Sequence, residues 1–123
     1  GPAKAGLYSW ERQSDGSYLR WTMPKARVTL PCTRELTKSA VLRFRALHPD
    51  IRSSSLRIVF LTSGERHVRE PRRSDPFEVR FQCIGDSIPV EIEVSPAWIP
   101  REFGLGNDSR VLGVQLISDT AQN

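Results

Sequence analysis

An all-β fold, two antiparallel sheets packed as a jelly-roll-like β-sandwich of eight to nine strands, is what this chain of 123 residues predicts. Apolar and polar residues alternate with period two in short runs, turn residues interrupt those runs every eight to twelve positions, and helical periodicity is nearly absent. An immunoglobulin-like sandwich is the second arrangement compatible with this pattern.

Taken in order, Leu7 to Trp10 and Tyr18 to Met23 flank the turn Ser14-Asp15-Gly16-Ser17 and read as a first strand pair. Val28, Leu30 and Cys32 alternate with Arg27 and Thr29, and Leu42 and Phe44 with Val41, Arg43 and Arg45, which gives two half-buried strands. Leu56 to Leu61 is nearly continuous in apolar residues, as a central strand should be, and the turn Thr62-Ser63-Gly64 leads to a short strand over Glu65 to Arg69. Phe77, Val79, Phe81 and Cys83 then point one way while Glu78, Arg80 and Gln82 point the other. Ile88, Val90, Ile92 and Val94 repeat that pattern after Gly85-Asp86-Ser87, so these two runs are expected to form an antiparallel hairpin. Ser95 followed by Pro96 suggests a short helical turn up to Pro100, and Arg110 to Ile117 is the last strand.

Length and composition support one core. With 38% hydrophobic and 26% charged residues spread along the chain, a disordered tail, a collagen-like repeat and a coiled coil are all excluded. Residues 1–5 read as a protease scar and linker on a fragment of a longer protein, residues 6–119 as a single domain, and residues 120–123 as a tail. The longest apolar run, Ile58 to Leu61, is far short of the roughly twenty residues of a membrane-spanning helix. Cys32 and Cys83 lie without a C-x-x-C or a nearby histidine pair, which leaves zinc and thioredoxin chemistry unsupported.

No nucleophile elbow, phosphate loop or dinucleotide fingerprint occurs, and Gly104-Leu105-Gly106 reads as a flexible turn. His48 and His67 stand apart beside loops and are expected on the solvated surface. Asp50, Asp86 and Asp108 fall at strand ends, but no spaced acidic calcium loop is present; Glu91 and Glu93 share a strand face and read as a solvated row. No cofactor, metal or catalytic set is expected. Fifteen of the eighteen cations are arginine, four of them between Glu65 and Arg73, yet no aromatic residue lies among those four to stack on bases, so a nucleic-acid partner is not expected.

Aromatic residues say more. Tyr8, Trp10, Tyr18 and Trp21 crowd the first 21 positions beside Glu11 and Arg20, with Trp98 far along the chain. Aromatic faces stack on the C–H patches of a sugar ring while carboxylate and guanidinium groups take its hydroxyls. On this reading Trp10 and Trp98 stack on a glycan, and Glu11, Arg20 and Arg43 orient its hydroxyls. The competing structural reading makes Trp21 a core residue and Glu11 with Arg20 an internal ion pair. A protein-docking or dimerising sandwich, using outward Arg43, Arg45 and Arg57, is the alternative function.

The residues Gly6-Leu7-Tyr8-Ser9-Trp10-Glu11, Asp15-Gly16-Ser17-Tyr18-Leu19-Arg20-Trp21-Thr22 and Asp108-Ser109-Arg110-Val111-Leu112-Gly113-Val114 give the chain a pattern. It resembles the β-sandwich accessory domains of bacterial glycosyltransferases and other surface-polysaccharide biosynthesis proteins, from Gly6 to Ser118. The resemblance implies a noncatalytic module beside a sugar-transferring domain of a parent protein, which holds a polysaccharide or docks the enzyme onto partners. It also implies a cytoplasmic setting, or one peripheral to the inner membrane through the parent protein. There the two cysteines would stay reduced, so buried free thiols are expected.

Overall fold

The computed structural model describes residues 5–118. Nine strands form two antiparallel sheets: β1 (Glu11–Arg12), β2 (Tyr18–Trp21), β3 (Lys25–Pro31), β4 (Ser39–Arg45), β5 (Arg57–Leu61), β6 (Arg66–Arg69), β7 (Phe77–Gln82), β8 (Ser87–Ser95) and β9 (Gln115–Ser118). The five-stranded sheet runs β1-β2-β9-β4-β7 and the four-stranded sheet β3-β8-β5-β6. Pairing is nested, β2 with β9, β3 with β8, β4 with β7 and β5 with β6, so the chain is one long hairpin rolled across two layers. That is the jelly-roll wrapping the alternation predicts.

The alternating side chains choose the faces. Leu42, Phe44, Val79, Phe81 and Leu116 from one sheet meet Leu30, Ile58, Phe60, Val90 and Ile92 from the other, all buried. Phe44 contacts Phe60 across the gap with ring centroids 5.1 Å apart. On the outer face of the four-stranded sheet, Lys25 opposes Glu93 and Arg27 opposes Glu91, so the glutamate row stands among cations of the neighbouring strand. β5 lies between β8 and β6, as its continuous apolar run anticipated.

Three expectations change. Phe77–Gln82 and Ser87–Ser95 do not form a hairpin: β7 pairs with β4 and β8 with β3 and β5, so residues 83–86 arch from one layer to the other. Both strands have a full apolar face, and lying in opposite sheets buries those faces against the shared core as well as pairing would, with Phe81 of β7 meeting Phe60 and His67 of the other layer. The helical turn sits at Pro100–Phe103, with Pro100 and not Pro96 in its first position. Finally, Cys32 and Cys83 are disulfide-bonded, with Cα atoms 6.1 Å apart, and not free thiols. The nested pairing is the reason, since it turns the β3–β4 and β7–β8 connections at one place. There the Cys32 N–H donates to the Asp86 carbonyl (2.9 Å) and the Cys83 N–H to the Lys38 carbonyl (3.1 Å). The proposed scar lies mostly, and the tail wholly, outside the described residues.

Where the ends of the roll meet, backbone packs on backbone. Thr22 exchanges hydrogen bonds with Val114 and accepts a third, at 2.7 Å, from the Gly113 N–H; its buried Oγ1 accepts from Val114 N–H at 3.1 Å. A Cβ on Gly113 would collide with Thr22 Oγ1 and stand 2.7 Å from the Met23 carbonyl oxygen. Gly113→Ala is expected to destabilise the domain by about 1–3 kcal/mol, the usual cost of overpacking, measured by urea denaturation. The disulfide closes a loop across a sequence separation of 51, which on chain entropy stabilises the fold by about 4 kcal/mol. The Cys32→Ala/Cys83→Ala double variant should lose most of that, and thiol titration of the unfolded, unreduced wild type should find no reactive group.

Candidate functional site

Trp98 is not on the surface. It is 6% exposed, edge-on to Trp21 at 5.6 Å and within 6.2 Å of both His48 and Phe103. The register of β2 with β9 and β4 places Trp21 on the outer face of the five-stranded sheet, opposite Gln115 and on the face of Arg45. An indole there needs cover, and the proline-flanked segment carrying Trp98 provides it, held by reciprocal backbone hydrogen bonds with Leu112. Trp98 is therefore a pillar of a second apolar cluster and does not meet Trp10. Its indole N–H has no hydrogen-bond partner in that dry setting.

His48 is buried against the same cluster, where the solvated-surface expectation fails. Its Nδ1 accepts the Asp50 N–H at 3.0 Å, so the ring is anchored in its neutral form. His67 is half-buried too, with Nε2 3.1 Å from Glu65 Oε1 and the ring edge-on to Phe81.

Glu11 belongs to a clamp on the sheet's outer side. Arg110 forms a fork with Asp108 (Nη2–Oδ2 2.8 Å, Nε–Oδ1 3.0 Å), lies over the Tyr8 ring at 5.0 Å, and reaches Glu11 at 3.9 Å. The Tyr8 hydroxyl donates to the Val111 carbonyl at 2.9 Å. Hydrogen bonds from Arg110 hold the Asp108 carboxyl below its ordinary range, and those same bonds push the guanidinium up. The first and last motifs thus grip each other, and the internal ion pair of Glu11 is with Arg110, not with Arg20.

Arg20 faces the other way. Its register partner is Leu116, whose own partner is Phe44, so Arg20 points into the gap between the sheets. The facing N-terminal segment supplies five residues from Leu7 to Glu11 against four from Thr22 to Leu19, an extra residue of the bulge type that turns Trp10 toward Arg20. The guanidinium lies over the Trp10 ring at 4.8 Å and its Nε–H donates to the Tyr8 carbonyl at 2.8 Å. Arg20 is 8% exposed, and burial lowers its pKa from the ordinary value while leaving it charged. Among the described residues no carboxylate pairs with it.

Trp10 and Arg20 border a cavity of about 230 Å³ where edge strand β3 faces β2, β9 and β4; Leu7, Val28, Leu30, Leu42 and Leu116 supply apolar walls. Arg43 touches the rim, but its register beside Ile117 and Glu78 puts it on the outer face, with Nε 3.5 Å from Glu78 Oε1. Of the five residues expected to act together, the structure joins Trp10 and Arg20. Arg57 alternates with inward Ile58 on the other sheet, so it and the pair Arg43 and Arg45 point away from opposite layers and form no single basic field. Among the described residues no group of three or more His, Cys, Asp or Glu could hold a metal ion, and no helix is long and apolar enough to cross a membrane.

The His48 ring gives a pH signature. Desolvation lowers its pKa from 6.5, with Asp50 opposing the shift. The unfolded chain therefore takes up the proton first on acidification, so the stabilisation present above about pH 6.5 is lost below it, until the folded ring also protonates. Urea midpoints should fall on going from pH 7.5 to 5, and less so in His48→Gln; an equal fall in both would remove His48 as the cause. No family model, curated protein or solved structure matches the chain.

Proposed function

We propose that the domain is a noncatalytic carbohydrate-binding module, accessory to a parent protein that handles glycans, with its site at the Trp10–Arg20 cleft. The observation that supports this reading is the pairing of an indole and a buried guanidinium at the mouth of an apolar cavity between the sheets. Indole and apolar walls suit the C–H faces of a sugar ring, and guanidinium donors suit its oxygens. Glu11, Arg43 and Trp98 are left out because each is committed to a partner elsewhere in the fold.

The disulfide bears on where such a module works. Bonded cysteines persist in oxidising compartments and are rare where thiols are kept reduced, so the bridge favours an exported or extracytoplasmic domain over the cytoplasmic setting expected from the resemblance. A polysaccharide at or beyond the cell surface is the partner such a placement makes accessible.

NMR titration of the disulfide-intact domain with surface-polysaccharide oligosaccharides should shift the Trp10 indole and the amides of Val28 to Leu30. Trp10→Ala should weaken binding about tenfold or more, the scale of losing one good stacking contact with its burial. No shift at millimolar ligand would overturn the proposal.

A further inference from the structure

Among the described residues, the Arg20 guanidinium is the one strongly polar group aimed into the apolar cavity from the inner face of a sheet. A guanidinium carries five N–H donors in a planar fork. Only the Nε–H has a described acceptor, the Tyr8 carbonyl, and the ring of Trp10 lies against the group's face. A cation this deep is costly to keep without a counter-charge. Among the described residues the nearby carboxylates are spent, Glu11 on Arg110 and Asp108 on the same residue. The terminal nitrogens therefore present the pattern that a planar anion matches with two parallel hydrogen bonds.

The surroundings narrow the charge. Arg43, the only other cation at the cavity among the described residues, is turned to the opposite face and paired with Glu78. A single guanidinium neutralises a single negative charge, whereas a doubly charged phosphate would bring an unpaired charge against Leu30, Leu42 and Leu116. The body attached to that charge must tolerate apolar walls on one side and Trp10 on the other.

Resting on the glycan reading above, we infer that the cleft selects acidic sugars, its specificity set by a uronate-type carboxylate that docks on the open fork of Arg20 while the C–H face of the ring lies on the Val28–Leu30 wall. Neutral sugars enter the same cleft but leave the fork unanswered and bind more weakly.

The test compares, on the wild-type disulfide-bonded domain, a glucuronate-containing disaccharide, its methyl ester and its neutral glucose counterpart by calorimetry. The ester has the shape of the acid without the charge. The acid should bind roughly ten- to hundredfold tighter than the ester, the range for hydrogen bonds to a charged group, and rising salt should narrow the gap. The Arg20 Nε resonance should move with the acid and not with the ester. In Arg20→Gln the acid should fall to the affinity of the ester; if that variant does not fold, the wild-type acid-to-ester ratio and Arg20→Lys, which keeps charge but loses the fork, decide the matter. Equal binding of acid and ester overturns this inference and leaves the glycan reading standing. Binding by none of the sugars overturns both. Octanoate binding as tightly as the acidic sugar overturns the sugar assignment and makes the cleft a site for acyl carboxylates.

Discussion

A strand that alternates apolar and charged residues has one face to hide, and a single sheet built from such strands has nowhere to hide it. In this chain the remedy is a second layer from the same hairpin, with Phe44, Phe81 and Leu116 opposed by Ile58, Phe60 and Ile92. Everything else is positioned by that closure. Nested pairing decides that the first and last long strands lie side by side, so Tyr8, Thr22, Arg110 and Gly113 can interlock, and that two distant connections cross where Cys32 meets Cys83. It also decides which side chains fall inside, and Arg20 is among them.

Much of this architecture can be read from the order of residues. The period-two runs give the longer strands from β3 to β8 and their inward faces, because alternation is imposed by the pleat itself and needs no knowledge of neighbours, whereas the first and last strands fall at Glu11–Arg12 and Gln115–Ser118 and not at Leu7–Trp10 and Arg110–Ile117. The lateral partner of each strand is less legible. Phe77 to Val94 has the look of a hairpin, and the structure makes it an arch, since a four-residue link is short enough for either and only the competition among strands decides. Ser95-Pro96 resembled a helix start for a similar reason, and the turn waited for Pro100.

The candidate site was legible in composition and not in geometry. Crowding of tyrosine and tryptophan near Glu11 and Arg20 marks the region of the Trp10–Arg20 cleft, yet which face each residue takes depends on one extra residue between Leu7 and Glu11 that no periodicity reveals. Trp98 looked available because it sits between prolines in a loop, and the need to cover Trp21 on an otherwise charged outer face is visible only once the register is known. Arg20 itself carried no signal, because alternation between Leu19 and Trp21 reads it as outward and only the register with Leu116 turns it in. The glycine and threonine of the closing motifs, Gly113 and Thr22, prove to be fittings between backbones, so motif residues there describe how the roll shuts and not what it holds.

Because Arg20 points between the layers and not away from them, it lies beside the cavity at the margin where edge strand β3 faces β2 and β9. The cavity wall and the core then draw on the same leucines, Leu30, Leu42 and Leu116. A substitution that packed this margin more tightly would gain rigidity by filling the space that the two layers leave open there.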